Sequence, residues 1–151
     1  MSYPVYESYR KSGVEWLGDI PKHWEVRRLR FNTISNPVKS EVNHLSKDQN
    51  VSFVPMEAVG EYGGLKLDKV KSIEDVYNGY TYFKNGDVLI AKITPCFENG
   101  KGSVATNLKN GVAFGTTELH VLRPENNFDS QFLFYLSISD AFRKIGASEM
   151  F

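Results

Sequence analysis

The chain has a single cysteine, Cys96, and can close no disulfide within itself, which excludes a secreted, disulfide-stapled scaffold. No apolar stretch approaches the ~18 residues of a membrane-spanning helix, so neither a helical membrane protein nor a membrane partner is expected. The first residues, MSYPVYESYRKSG, carry no apolar core of the kind a secretory leader requires. Together these predict a cytoplasmic protein. Charge of one sign is missing too: 18 Lys and Arg balance 18 Asp and Glu, a formal net charge of +0. No long-range field then steers the chain to nucleic acid, and any such affinity must come from local contacts. What is present is ordinary for a folded domain. The 151 residues are 41% hydrophobic and 24% charged, enough for one domain with its own core and against disorder.

Along the chain, residues 1–12 read as a polar N-terminal arm and residues 13–151 as one domain. SGVEWLGDIPKHWEVRRL sets Trp16, Leu17, Ile20 and Trp24 around Gly18 and Pro21, an irregular strap leading into a short strand near Trp24–Arg28. A helical turn at Leu29–Ile34 is closed by Asn36-Pro37, because the residue before proline avoids the helical region. Residues 38–50 form a loop. VSFVPM (51–56) is a strand by its β-branched content, and alternation at Leu65, Leu67 and Val70 predicts another. SIEDVYNG is one helical turn. Asn85-Gly86-Asp87 is a turn before VLIAKI (88–93), an apolar run suited to a central strand. GSVATNL and GVAFGTTELHVL are two more strands, separated by the turn triplet Lys109-Asn110-Gly111. The final helix, within FDSQFLFYLSISDAFRKIG, is capped by Asp129 or Ser130. It should bury Phe132, Leu133, Leu136 and Phe142, with Arg143 and Lys144 at its carboxyl end and Gly146 as its left-handed cap.

Enzyme chemistry finds little support. Cys96 follows Pro95 as a nucleophile could, but His23, His44 and His120 are the only histidines and none lies in a catalytic motif; a packing thiol is the simpler reading. Glu118-x-His120 supplies two metal ligands at strand spacing and no third. Gly100-x-Gly102 lacks the Lys-Ser/Thr ending of a nucleotide loop. Asn36-Pro37-Val38 lacks the second proline and the aromatic ring that would stack on a flipped base.

LIAKITPCFENGKG (89–102) is a different matter, because it turns from a buried strand into hydrogen-bonding groups on a flexible backbone. Such a loop suits base and phosphate contact. The plain alternative is a strand-ending turn whose polar groups satisfy each other.

Five blocks carry a resemblance. SGVEWLGDIPKHWEVRRLRF, VSFVPMEAVGEYGG, FKNGDVLIAKITPCFENGKGSVA, GVAFGTTELHVLRP and FLFYLSISDAFRKIGASEM follow one another in the order of a target-recognition domain. The chain resembles that domain of the specificity subunit of type I restriction–modification enzymes, from about residue 8 to residue 150. The resemblance implies an α+β domain with a mostly antiparallel, partly closed β-core and a C-terminal helix. It implies a non-catalytic module reading one half of a bipartite site on double-stranded DNA. Methylation and cleavage would belong to partners, the modification (methyltransferase) subunit and the restriction subunit. S-adenosylmethionine and ATP would be theirs as well, leaving this chain no cofactor. A second recognition half, or a homodimer, would supply the other half-site. In the family a Gly/Ser-rich segment and a long spacer helix follow; this chain stops at Phe151, so one domain without the spacer is expected. The alternative is a protein-interaction piece that occupies a partner subunit without reading DNA.

On that resemblance the loop supplies Lys92, Thr94, Glu98, Asn99 and Lys101 to DNA. Glu98 accepts from a cytosine amino group, Asn99 meets adenine at two points, and the lysines suit phosphate or guanine. Sequence choice in the family resides in irregular segments, which adds Lys39, Asn43, His44, Lys47, Tyr62 and Lys66. Thr117, on the strand pairing toward the loop, completes the set, and Arg27, Arg28 and Arg30 are a basic cluster facing phosphate or solvent.

Overall fold

The structure, a computed structural model, describes residues 5–15, 18–26, 29–92 and 96–139. It divides into two units, Met1–Phe31 and Asn32–Phe151. In the first, β1 (Tyr9–Lys11) and β2 (Asp19–Pro21) form a two-stranded antiparallel ladder with Arg10 opposite Ile20. The strand expected near Trp24–Arg28 is absent among the described residues 24–26, while 27 and 28 lie outside them. A strand forms earlier, at Asp19–Pro21, and Lys22 N–H donates to Ser8 O at 2.9 Å just beyond it. Tyr6 meets Tyr9, His23 and Trp24 at ring separations of 6.3, 5.4 and 6.1 Å. Trp16 and Leu17 lie outside the described residues.

The remaining elements follow in order. They are α1 (Leu29–Asn32), β3 (Thr33–Ser35), β4 (Asn50–Val54), β5 (Val70–Ser72), α2 (Ile73–Val76), β6 (Thr81–Lys84) and β7 (Val88–Ala91). Then come β8 (Gly102–Val104), β9 (Val112–Gly115), β10 (Leu119–Pro124) and α3 (Ser130–Ser137). In the second unit the strands form two four-stranded sheets, β3-β10-β7-β8 and β5-β4-β9-β6. All pairs are antiparallel except β4 with β9, so the α+β, mostly antiparallel expectation holds; neither sheet closes into a barrel.

Period-two alternation places the core. Val54, Phe83 and Ala113 point from the second sheet toward Leu89, Leu119 and Val121 of the first, and all six are fully buried. Their neighbours Val51, Tyr82 and Phe114 point the other way, onto Val42, Ile73 and Val76. The second sheet is thus covered on both faces, which is why β9 is buried at every position.

Several local expectations are corrected. The helical turn ends at Asn32 and the chain runs straight into β3, because Asn36, at φ 49°, extends the ladder itself: its N–H donates to Val121 O (2.7 Å) and its Oδ1 accepts from Val121 N–H (2.9 Å). GVAFGTTELHVL is two strands rather than one, with Thr116–Glu118 in the turn between them. Leu65 makes only a single bridge, to Val59, and the strand begins at Val70. Helix α3 begins at the expected cap, where Asp129 Oδ1 accepts from Phe132 N–H at 2.8 Å. Its buried face is Leu133, Phe134 and Ser137, with Phe132 turned to solvent. Phe142, Arg143, Lys144 and Gly146 lie outside the described residues.

Candidate functional site

Parallel pairing of β4 and β9 sends the segments after both strands out at one edge of the second unit, here termed the upper edge. The loop after β7 joins them. Thr116 N–H donates to Val54 O (3.1 Å), Lys92 N–H to Glu118 O (2.8 Å), and Tyr62 N–H to Gly100 O (2.9 Å). An isolated antiparallel bridge links Glu61 with Lys101. Backbone bonds thus stitch segment 55–66 to 96–101, and tie 116–118 to Val54 and Lys92 at the ends of the strands that lead into them, so that three segments distant in sequence share one surface. Sequence reasoning anticipated the middle segment as a loop but carried no signal for the stitching.

Seven of the expected residues stand there. Glu98 and Asn99 are exposed, and the turn holding them closes through Gly100 N–H donating to Phe97 O at 3.1 Å. Gly100 has φ 72°, and a Cβ there would lie 2.7 Å from Cε1 of Tyr62, so the turn demands glycine. Lys101 is half-buried, and its Nζ reaches Met56 O at 3.5 Å. Tyr62, Lys66 and Thr117 are exposed. Lys92 is half-buried beside His120, whose pKa is lowered by desolvation and then by the Lys92 charge. His120 is accordingly neutral near pH 7, with one ring nitrogen free to accept. Thr94 lies outside the described residues. Charge at this edge is mixed: Lys66, Lys92 and Lys101 stand among Glu57, Glu61, Glu98 and Glu118.

The other four expected residues stand at the opposite edge, before β4 rather than after it. β4 is five residues long, about 17 Å at the strand rise. Lys39 is engaged in the fold: its Nζ donates to Tyr77 O at 2.6 Å and lies 5.2 Å from the Tyr77 ring centre. Asn43 Oδ1 accepts from the Tyr77 hydroxyl at 3.1 Å. His44 and Lys47 are exposed. Arg27 and Arg28 lie outside the described residues.

An ionic cluster that the sequence did not disclose sits at the same lower edge. Arg123 forks onto Asp87, with Nε to Oδ1 at 2.8 Å and Nη2 to Oδ2 at 2.9 Å, and its Nη1 reaches both Glu41 oxygens at 2.6 and 2.7 Å. Burial opposes the charge on Arg123, but these hydrogen bonds overcome it and raise its pKa. The Arg123 bonds hold the Glu41 carboxyl below its ordinary range. Burial and the bond to Glu41 push the Tyr82 phenol up to about 12. Asp87 is fully buried, and the cluster clamps β7, β10 and the turn at Lys39–Val42 together. Asp87 was legible only as a turn residue. Among the described residues no cluster of His, Cys, Asp and Glu could hold a metal, and no helix is long and apolar enough to cross a membrane.

No protein-family model matches the chain. It is 40% identical over 134 residues to the type I restriction enzyme EcoAI specificity subunit of Escherichia coli, covering 87% of this chain and 22% of that one. The EcoEI specificity subunit of the same organism is 39% identical over 134 residues, with the same coverage. The chain thus spans about a fifth of the length of these curated relatives. Among solved structures, a chain from work on complex assembly and conformational transition of the type I R-M system superposes with a TM-score of 0.50 at 18% identity. That match covers 86% of this chain and 30% of the other, and at this identity it speaks to the fold alone.

Proposed function

Since this chain is related, over most of its own length, to type I restriction enzyme specificity subunits, we propose that it is a non-catalytic recognition domain that reads double-stranded DNA through its upper edge. The observation that carries this reading is the backbone bonding through which segments 55–66, 96–101 and 116–118 share one polar surface. Reading bases requires donors and acceptors held in fixed register at the groove, and loops tied to one another and to strand ends hold them so. In this reading Asn99 meets adenine at two points and Glu98 accepts from cytosine. Lys92 and Lys101 flank them toward phosphate, and neutral His120 adds an acceptor. Lys66 and Thr117 lie at the margin of the same surface. Lys39 and Asn43 are committed to Tyr77, which leaves His44 and Lys47 as solvent-facing groups of the opposite edge.

Mixed charge at the upper edge favours reading over mere sticking, because a phosphate-driven binder would carry an excess of lysine and arginine. In this proposal methylation and cleavage, with S-adenosylmethionine and ATP, belong to a modification subunit and a restriction subunit. The other half-site is read by a second recognition half or a second copy. The test is selection from randomised duplexes by this 151-residue chain at low salt. A defined preferred sequence is expected, lost in Asn99→Ala and Glu98→Ala and kept in His44→Ala and Lys47→Ala. No enrichment by the folded chain, together with stable capture of a methyltransferase subunit, would make it an interaction piece instead.

A further inference from the structure

Six non-glycine residues adopt a positive φ among the described residues, and five of them are asparagines. Asparagine tolerates that region because its short side chain bonds locally. Tyr62, at φ 57°, is the sixth. Tyrosine gains nothing comparable there, and such an outlier persists only where its surroundings over-determine it. Core burial is not what holds it, for the side chain is 58% exposed.

The loop opposite engages it on two sides. Tyr62 N–H donates to Gly100 O at 2.9 Å, and Glu61 bridges Lys101. The ring lies so close over the Gly100 backbone that a Cβ would come within 2.7 Å of Cε1 and 2.9 Å of Cδ1. On the far side Gly63 and Gly64 continue at φ 115° and 97°, so the backbone folds back sharply behind the ring. Gly60, where that reversal begins, is itself constrained: a Cβ there would lie 2.2 Å from Gly63 O. The tip is closed by Gly60 N–H donating to Gly64 O at 2.8 Å.

Resting on the DNA-reading proposal above, we propose that Tyr62 is a positioning residue: its ring, laid over Gly100, fixes the pitch of the Glu98–Asn99–Gly100 turn and thereby which base edge Asn99 meets. The contact with Gly100 is made by ring carbons, Cε1, Cδ1 and Cζ. It is also reciprocal, since adding a methyl group at Gly100 displaces the ring as surely as removing the ring frees the turn.

The experiment compares the duplex selected by the 151-residue chain with a scrambled duplex, alongside thermal unfolding of each variant. Tyr62→Phe keeps the ring and should hold the ratio of the two affinities within about twofold. Tyr62→Asn removes the ring at a φ that asparagine tolerates; it should lower that ratio roughly tenfold, the scale of one misplaced base contact, by weakening the selected duplex more than the scrambled one, in a chain that still unfolds cooperatively. Asn99→Ala added to Tyr62→Asn should lower the ratio no further, because both act on one contact. Gly100→Ala should reproduce the loss; if it unfolds the chain, the exposed Tyr62→Asn change still decides. A full ratio in Tyr62→Asn, or equal losses on both duplexes, overturns the positioning role while leaving DNA reading intact. If the unaltered chain selects no duplex at all, both proposals fall.

Discussion

At the scale of single residues, the firmest consequence concerns the clamp at the lower edge. Asp87 is fully buried and bound twice by Arg123, so Asp87→Ala leaves a guanidinium half-paired in the interior. Urea unfolding should register a loss of about 3–5 kcal/mol. Glu41 shares the same arginine from a half-exposed position, where solvent screens the pair, and Glu41→Gln should cost under about 1 kcal/mol near neutral pH. The two also differ with acidity. The Glu41 pKa is lowered in the fold from its ordinary 4.5, so its contribution is complete above that value and disappears as the pH falls through the lowered one. Unfolding curves of the parent and Glu41→Gln should therefore converge on acidification, whereas a gap that widens would contradict the assignment. Sequence alone marked Asp87 as a turn former and passed over Arg123, because a charge pair separated by more than thirty positions leaves no local pattern.

Among the elements, legibility followed the reach of the forces that shape them. β7, α2 and the start of α3 were readable, since an apolar run, a short helical signature and an aspartate cap each act within a few residues. The cap makes a prediction of its own: Asp129→Ala removes the acceptor of the Phe132 N–H and should cost about 1 kcal/mol in thermal unfolding. β6 was not foreseen. TYFK alternates too briefly to announce a strand, and its identity comes from pairing with β9. The turn at Thr116–Glu118 was hidden for the opposite reason, a run of β-formers that continues across it. Phe132, expected in the buried stripe of α3, is exposed and Phe134 is buried, because that stripe is set by the sheet beneath it, not by the helix alone. The candidate site shared this pattern. Its central loop could be seen in 92–101, while its union with Tyr62 and Thr117 depends on the parallel β4–β9 pairing, which nothing local encodes.

For the molecule as a whole, a formal charge of +0 sets the strength of any DNA complex. Fluorescence anisotropy on random duplex at physiological salt should give a dissociation constant in the non-specific range of roughly 10⁻⁴–10⁻⁶ M; a nanomolar value would refute the balanced-charge argument. Lys92→Ala or Lys101→Ala should each reduce the salt dependence by about one unit of slope, alike on all sequences. One further consequence lies in the order of the strands. β10 sits between β3 and β7 and supplies Leu119 and Val121 to the centre of the core, yet among the described strands it is the last the ribosome delivers. At ~5–20 residues per second, β3 waits several seconds for the neighbour that completes its ladder, and loop closure across so long an interval is slow in itself. Until residue 124 has left the exit tunnel the second sheet has all its strands, but the first stays split between β3 and the β7–β8 pair, with the core face of the second sheet open.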